Sequence, residues 1–190
     1  MSASQFFTIG HSNHSLEEFM HLLTDNAAEV VVDVRKLPGS DRNPQFNADA
    51  LVDDLAESGI ELQRLEGLTG RRPVNHDIDF AVNGWWKNRS FHNYADHTLT
   101  GEFRQDFGRL LEWGAKKRCV LMCSEAVWWR CHRRIIADNL LAREFPVTHI
   151  MGRNQTTAVM LSAGADVAQD GSVTYPAVVS DGSTGASEDP

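Results

Sequence analysis

At 190 residues, with 42% apolar side chains that include nine Phe and five Trp, the chain is long enough for one domain with a sizeable core. A formal net charge of −8 argues against a general nucleic-acid binder, which needs a basic face, and no run of about 18 apolar residues is present to cross a membrane. Three cysteines without disulfide-framework spacing, and an N-terminus (MSASQFFTIGHSNHS) with neither a basic start nor a long apolar stretch, predict a protein of the reducing cytoplasm.

Gln5–Ile9 predicts a first strand, closed by Gly10. Ser15-Leu-Glu-Glu18 is a capping box, and Leu16, Phe19, Met20, Leu22 and Leu23 follow it at helical spacing. The β-branched run Glu29–Asp33 predicts a buried strand, leading into a loop marked by Pro38 and Gly39. Asn47 is placed to cap a second helix carrying Leu51 and Leu55, with Gly59 as its stop. Ile60–Leu65 alternates as a half-exposed strand does. Residues 66–98, rich in Gly, Asn, His and Trp, read as one long irregular segment of the kind that often carries function.

Thr100 starts a third helix that ends at Gly114, with Phe103, Phe107 and Leu110 turned inward. Cys119–Met122 predicts a buried strand, Arg130–Glu144 a fourth helix, and Pro146–Ile150 a last short strand. The alternation predicts a single α/β domain over residues 1–152, its largely parallel central sheet of about five strands flanked by helices. Residues 153–190 set Arg153 against Asp166, Asp170, Asp181, Glu188 and Asp189. This acidic Ser/Gly/Ala-rich tail is expected to be flexible, with Val173–Val179 able to add an edge strand.

Ligands of open parallel sheets bind beyond the carboxyl ends of the strands. The polar residues cluster there: His11 and Ser12 after the first strand, Asp33 and Arg35 after the second, and Cys123, Ser124 and Glu125 after the fourth. Cys123 precedes a helix start, where backbone N–H groups and the helix dipole favour a thiolate, and it is the candidate nucleophile or redox thiol. Arg130, Arg133 and His132 are placed to add to that field. Arg35 and Arg133, with Arg130, are the candidate binders of an anionic small molecule. His11 or His132 would move protons, Glu125 and Asp33 complete the catalytic set, and Ser12 and Tyr94 complete the polar lining.

Two rival readings use the same residues. In one, Arg35, Arg71, Arg72 and Arg130 hold a nucleotide or nucleic-acid end without chemistry. In the other, His11 and Glu125 serve a metal-dependent hydrolase. No cofactor is called for, and no structural metal is expected. Cys131 and His132, read as neighbours on a helix, diverge by about 100°, and no Cys-x2-Cys pair exists. The loop Cys123 to Arg130 is Cys-x6-Arg, one residue longer than the Cys-x5-Arg loop of cysteine phosphatases and rhodaneses, and it lacks glycine.

Thr8-Ile-Gly-His-Ser12, Asp33-Val-Arg35 followed by Pro38 and Ser40, Leu68-Thr-Gly-Arg-Arg72, Tyr94-Ala-Asp96, Cys123-Ser-Glu125 with Cys131-His-Arg133, and Val147-Thr-His-Ile150 occur in that order. Together they resemble the domain-of-unknown-function family 488 over residues 5–152, with Thr69 standing where that family usually has glycine. The resemblance implies an α/β fold and a shared site of Cys123, Glu125, Cys131, His132 and Arg133. It implies no activity.

Overall fold

A parallel sheet covered on both faces needs strands that are apolar throughout, and three segments meet that demand with every residue buried: β1 (Phe6–Gly10), β2 (Val30–Asp33) and β4 (Cys119–Cys123). The computed structural model describes residues 6–177. Between and after these strands lie α1 (Leu16–Asp25), α2 (Ala48–Glu57), β3 (Glu61–Arg64), α3 (Arg89–Thr98), α4 (Gly101–Gly114), α5 (Arg133–Leu141), β5 (Val147–Gly152), β6 (Gln155–Ala158), β7 (Asp166–Val167) and β8 (Val173–Thr174).

The central sheet runs β3-β2-β4-β1-β5-β6. Its first five strands are parallel, and β6 returns antiparallel along β5 as a sixth, edge strand. Alternate strand residues feed two cores. Phe7, Ile9, Val31, Val120 and Met122 meet α1 and α2 through Phe19, Leu22, Leu23, Leu51 and Leu55. Phe6, Val32, Leu121 and Cys123 face the other way, against α3, α4 and α5. From β1 the chain crosses to β2 on one side of β4, and from β4 it crosses to β5 on the other. The winding therefore reverses between the neighbouring strands β1 and β4, and their carboxyl ends flank the switch point where open sheets bind ligands.

Several expectations need correction. Residues 66–98 contain α3, capped by Asn88, whose side chain accepts from the Ser90 N–H at 2.9 Å. The helix expected from Arg130 begins at Arg133, because Trp128–Arg130 form a 3-10 turn and Cys131 is extended (φ −125°, ψ 144°). Asn47 occupies the N-cap position of α2, but its side-chain oxygen accepts from the Ser40 N–H at 2.7 Å instead of capping. Ser15 does cap α1, accepting from the Glu18 N–H at 3.1 Å.

Val173–Thr174 pairs with β7 in a separate two-stranded sheet rather than extending the central one. Tyr175 beyond it is buried, its hydroxyl donating to Asp138 at 2.7 Å. Residues 178–190, including the end of the expected edge strand and the rest of the acidic tail, lie outside the described residues, as do residues 1–5. No helix among the described residues is long and apolar enough to cross a membrane.

Candidate active site

Gly10 stands directly across from Cys123 in the β1–β4 register. The pairing continues past both strand ends, with the His11 N–H on the Cys123 carbonyl (2.9 Å) and the Ser12 N–H on the Ser124 carbonyl (3.1 Å). Cys123 is thereby fixed at the switch point. The loop after it folds back over Gly10 so closely that a Cβ there would sit 2.0 Å from the Glu125 carbonyl oxygen. Arg133, at the first turn of α5, holds that same carbonyl from its guanidinium at 2.6 Å.

Because Cys131 is extended and His132 is the N-cap of α5, their side chains converge rather than diverge as helical neighbours would. The ligand atoms of Cys123, Cys131 and His132 all lie within 4.8 Å of one another. This grouping overturns the angular argument against their acting together.

Arg133 governs the electrostatics. It is only 1% exposed, and its Nε donates to the Cys131 sulfur at 3.2 Å. Its other donors go to the Glu125 carbonyl and, at 3.5 Å, to the Thr8 hydroxyl; among the described residues it has no carboxylate partner. A buried guanidinium without a counter-charge costs several kcal/mol, and Cys131 is the neighbour able to supply one.

Burial alone would raise the Cys131 thiol. The hydrogen bond from the Cys123 thiol, the charge of Arg133 and the Arg133 N–H groups outweigh it and bring Cys131 down to about 6. Cys123 moves upward, chiefly because it donates to Cys131 and then through burial. Both directions make Cys131, rather than the expected Cys123, the more acidic of the two sulfurs. Cys119, at the opposite end of β4, is pushed up to about 12 by burial.

His132 donates from Nε2 to the Val34 carbonyl at 3.0 Å, which leaves Nδ1 unprotonated and 3.7 Å from the Cys131 sulfur. Burial, its largest influence, lowers its pKa and keeps the ring neutral. Gly70 packs against that edge of the ring, where a Cβ would lie 2.7 Å from Nδ1. Tyr94 covers the ring at a centroid distance of 4.8 Å, and its hydroxyl donates to the Leu68 carbonyl at 2.7 Å.

Arg35 and His11 are placed beside this cluster but are fully occupied. Arg35 is 4% exposed, grips Asp33 through Nε (2.9 Å) and a terminal nitrogen (2.6 Å), and donates to the Phe46 carbonyl at 2.8 Å. Its Nη1 also faces His11 Nε2 at 3.3 Å, while His11 Nδ1 donates to the Ser12 carbonyl at 2.9 Å. Burial lowers His11 to about 4, so it is a neutral brace with no free nitrogen. Ser12 donates to Asn13 at 3.2 Å. Glu125 contributes its backbone carbonyl, and Arg130 is exposed on the 3-10 turn. Trp128 stacks on His149 at 4.5 Å, a packing role rather than a ligand platform.

A cavity of about 120 Å³ opens onto the cluster, lined by Cys123, Ser124, His132, Arg35, Lys36 and Arg71 among others. Lys36 and Arg71 are exposed, and their side chains make no hydrogen bond or ion pair among the described residues. They, rather than Arg35 and Arg133, are the cations with open donors. Arg71 adopts a left-handed conformation (φ 57°), a strained state for a residue with a side chain, and it belongs to the basic pair visible in the sequence. Lys36 carried no signal beyond following Arg35. A larger cavity of about 410 Å³, lined by Val74, Ile78, Phe80, Trp86, His92 and Asp96, contains none of the thiols.

Two thiols and an imidazole also form the donor set of a zinc site with an open position. Arg133, however, already supplies the positive charge beside the Cys131 sulfur. A dication would add to it in a region of low dielectric, so the charge balance favours a thiolate held by arginine.

A family model described as domain of unknown function DUF488 matches residues 15–140, a span running from the cap of α1 through most of α5. It takes in the thiol cluster, Lys36 and Arg71. No curated protein and no solved structure matches the chain.

Proposed function

Because the chain belongs to the DUF488 family of domains of unknown function, its chemistry has to be read from its own residues, and we propose thiol-based nucleophilic chemistry on an anionic small molecule at the Cys123 cavity. The observation that carries this reading is Arg133, a buried cation whose available counter-charge is the Cys131 sulfur. A thiolate stored there is a proton acceptor for Cys123, the sulfur that lines the cavity. As Cys123 attacks, its proton passes to Cys131, and His132 Nδ1 can take it onward. Lys36 and Arg71 at the mouth hold the anionic part of the substrate. Arg35, Asp33 and His11 position the loop that carries Lys36.

Paired alkylating reagents test both halves of the proposal. Iodoacetamide should label Cys123 ahead of Cys119 in the folded protein, and iodoacetate, which carries a carboxylate, should do so faster still. Lys36→Ala and Arg71→Ala should each slow iodoacetate about 2- to 5-fold, the scale of an exposed charge interaction, while leaving iodoacetamide unchanged. Equally slow labelling of all three cysteines would overturn the thiol reading. Indifference of iodoacetate to both substitutions would overturn the anionic one.

A further inference from the structure

We infer that the substrate is an anionic low-molecular-weight disulfide, which the Cys123–Cys131 pair reduces by closing a disulfide of its own. The inference rests on the thiol reading above and deepens it. A single nucleophilic cysteine needs an acid, a base and room for a leaving group; it does not need a second sulfur behind it. Here a second sulfur is present in the same cluster, and it does not line the cavity. Cys123 lines the cavity, and Cys131 is buried within the same 4.8 Å cluster. That is the arrangement of an attacking and a resolving cysteine.

The steps balance. The pair begins with one proton, shared between Cys123 and Cys131. The Cys123 sulfur attacks one sulfur of the disulfide R–S–S–R′, its proton moves to Cys131, and R′S⁻ leaves. The product is the mixed disulfide Cys123–S–S–R. Cys131 then gives its proton to His132 Nδ1, 3.7 Å away, and attacks the Cys123 sulfur. The Cys123–S–R bond breaks, RS⁻ takes the proton from His132, and RSH departs. The two cysteines are oxidised to a disulfide, and R–S–S–R′ is reduced to RSH and R′S⁻.

The cavity of about 120 Å³ has room for one small arm of such a molecule, and Lys36 and Arg71 face where its carboxylate would lie. Arg133 lowers the cost of the thiolate in the reduced pair and loses its counter-charge when the disulfide forms. This opposes closure of the internal disulfide and eases its reopening, so an excess of the substrate disulfide drives the forward step and a second, thiol-bearing molecule returns the pair to its reduced form.

The test uses the full chain and 5,5′-dithiobis(2-nitrobenzoate), an anionic aromatic disulfide whose released thiolate is coloured. The wild-type chain should release two equivalents of thiolate from the pair, retain no adduct, and lose two hydrogens in mass, with Cys123 and Cys131 linked in the peptide map. Cys131→Ser and Cys131→Ala should each stop after one equivalent with the adduct held on Cys123. Of two alkyl disulfides of similar size, cationic cystamine should react at least several-fold more slowly than anionic 3,3′-dithiodipropionate, and the difference should shrink in Lys36→Ala. A wild-type chain that keeps a stable adduct on Cys123 and never forms the internal bond would overturn the disulfide inference while leaving the nucleophile intact. Failure of Cys123 to react with either disulfide or with iodoacetamide would bring down both.

Discussion

Arg133 carries more of the site than any residue singled out for its own reactivity. It bonds the Cys131 sulfur, the Glu125 carbonyl and the Thr8 hydroxyl, and so joins α5, the loop after β4 and the middle of β1. Its hold on Glu125 is possible only because Gly10 leaves that carbonyl room. Gly10→Ala should therefore act twice. Its Cβ, 2.0 Å from a backbone oxygen, cannot be relieved by turning a flexible side chain, and overpacking of this kind costs about 1–3 kcal/mol. It should also move Glu125 off Arg133 and slow Cys123 alkylation. Urea unfolding and the labelling rate check the two effects, and an unchanged rate in a destabilised protein would show that the loop does not set the thiol geometry.

At the scale of elements, what the sequence revealed depended on which face each element buries. The central strands were legible because burial on both sides leaves only apolar runs, as in Val30–Val32 and Cys119–Met122. α3 was not, because its buried positions include His92, Asp96, His97 and Thr98, so hydrophobic periodicity fails although the helix is real. Two of those polar groups are accommodated by hydrogen bonds, His97 facing the Gly67 carbonyl and Asp96 accepting from Asn83. The site followed the same logic. Cys123, His132 and Arg133 are candidates in the sequence by their place after a strand. Cys131 enters the sequence reading only through the family resemblance, because a helix predicted from Arg130 turns its side chain away from His132, and the extended conformation that brings its sulfur toward Cys123 has no marker in the sequence. The anchoring of Arg35 by Asp33 and Phe46, and hence the promotion of Lys36 to the cavity mouth, depends on contacts between distant segments.

At the scale of the whole molecule, the two cores and the switch point hold several histidines in their neutral form. Burial, with Arg133 adding to it at His149, lowers His11 to about 4 and His149 to about 3, and it also lowers His97 and His132. In the unfolded chain these groups take up protons at about 6.5, so the unfolded state binds more protons below that pH and folding loses free energy as the solution is acidified. The stability they permit is fully present above about 6.5 and declines toward about 3. Urea midpoints should therefore fall between neutral pH and pH of about 5; a midpoint that held steady or rose would contradict the neutral assignments. The negative charge opposite Arg133 is reported directly by the ultraviolet absorbance of thiolate across pH. One thiolate per wild-type chain should appear with a midpoint near 6 and vanish from that range in Cys131→Ser and in Arg133→Met. A wild-type chain with no thiolate until the ordinary thiol value of about 8.5 would contradict it.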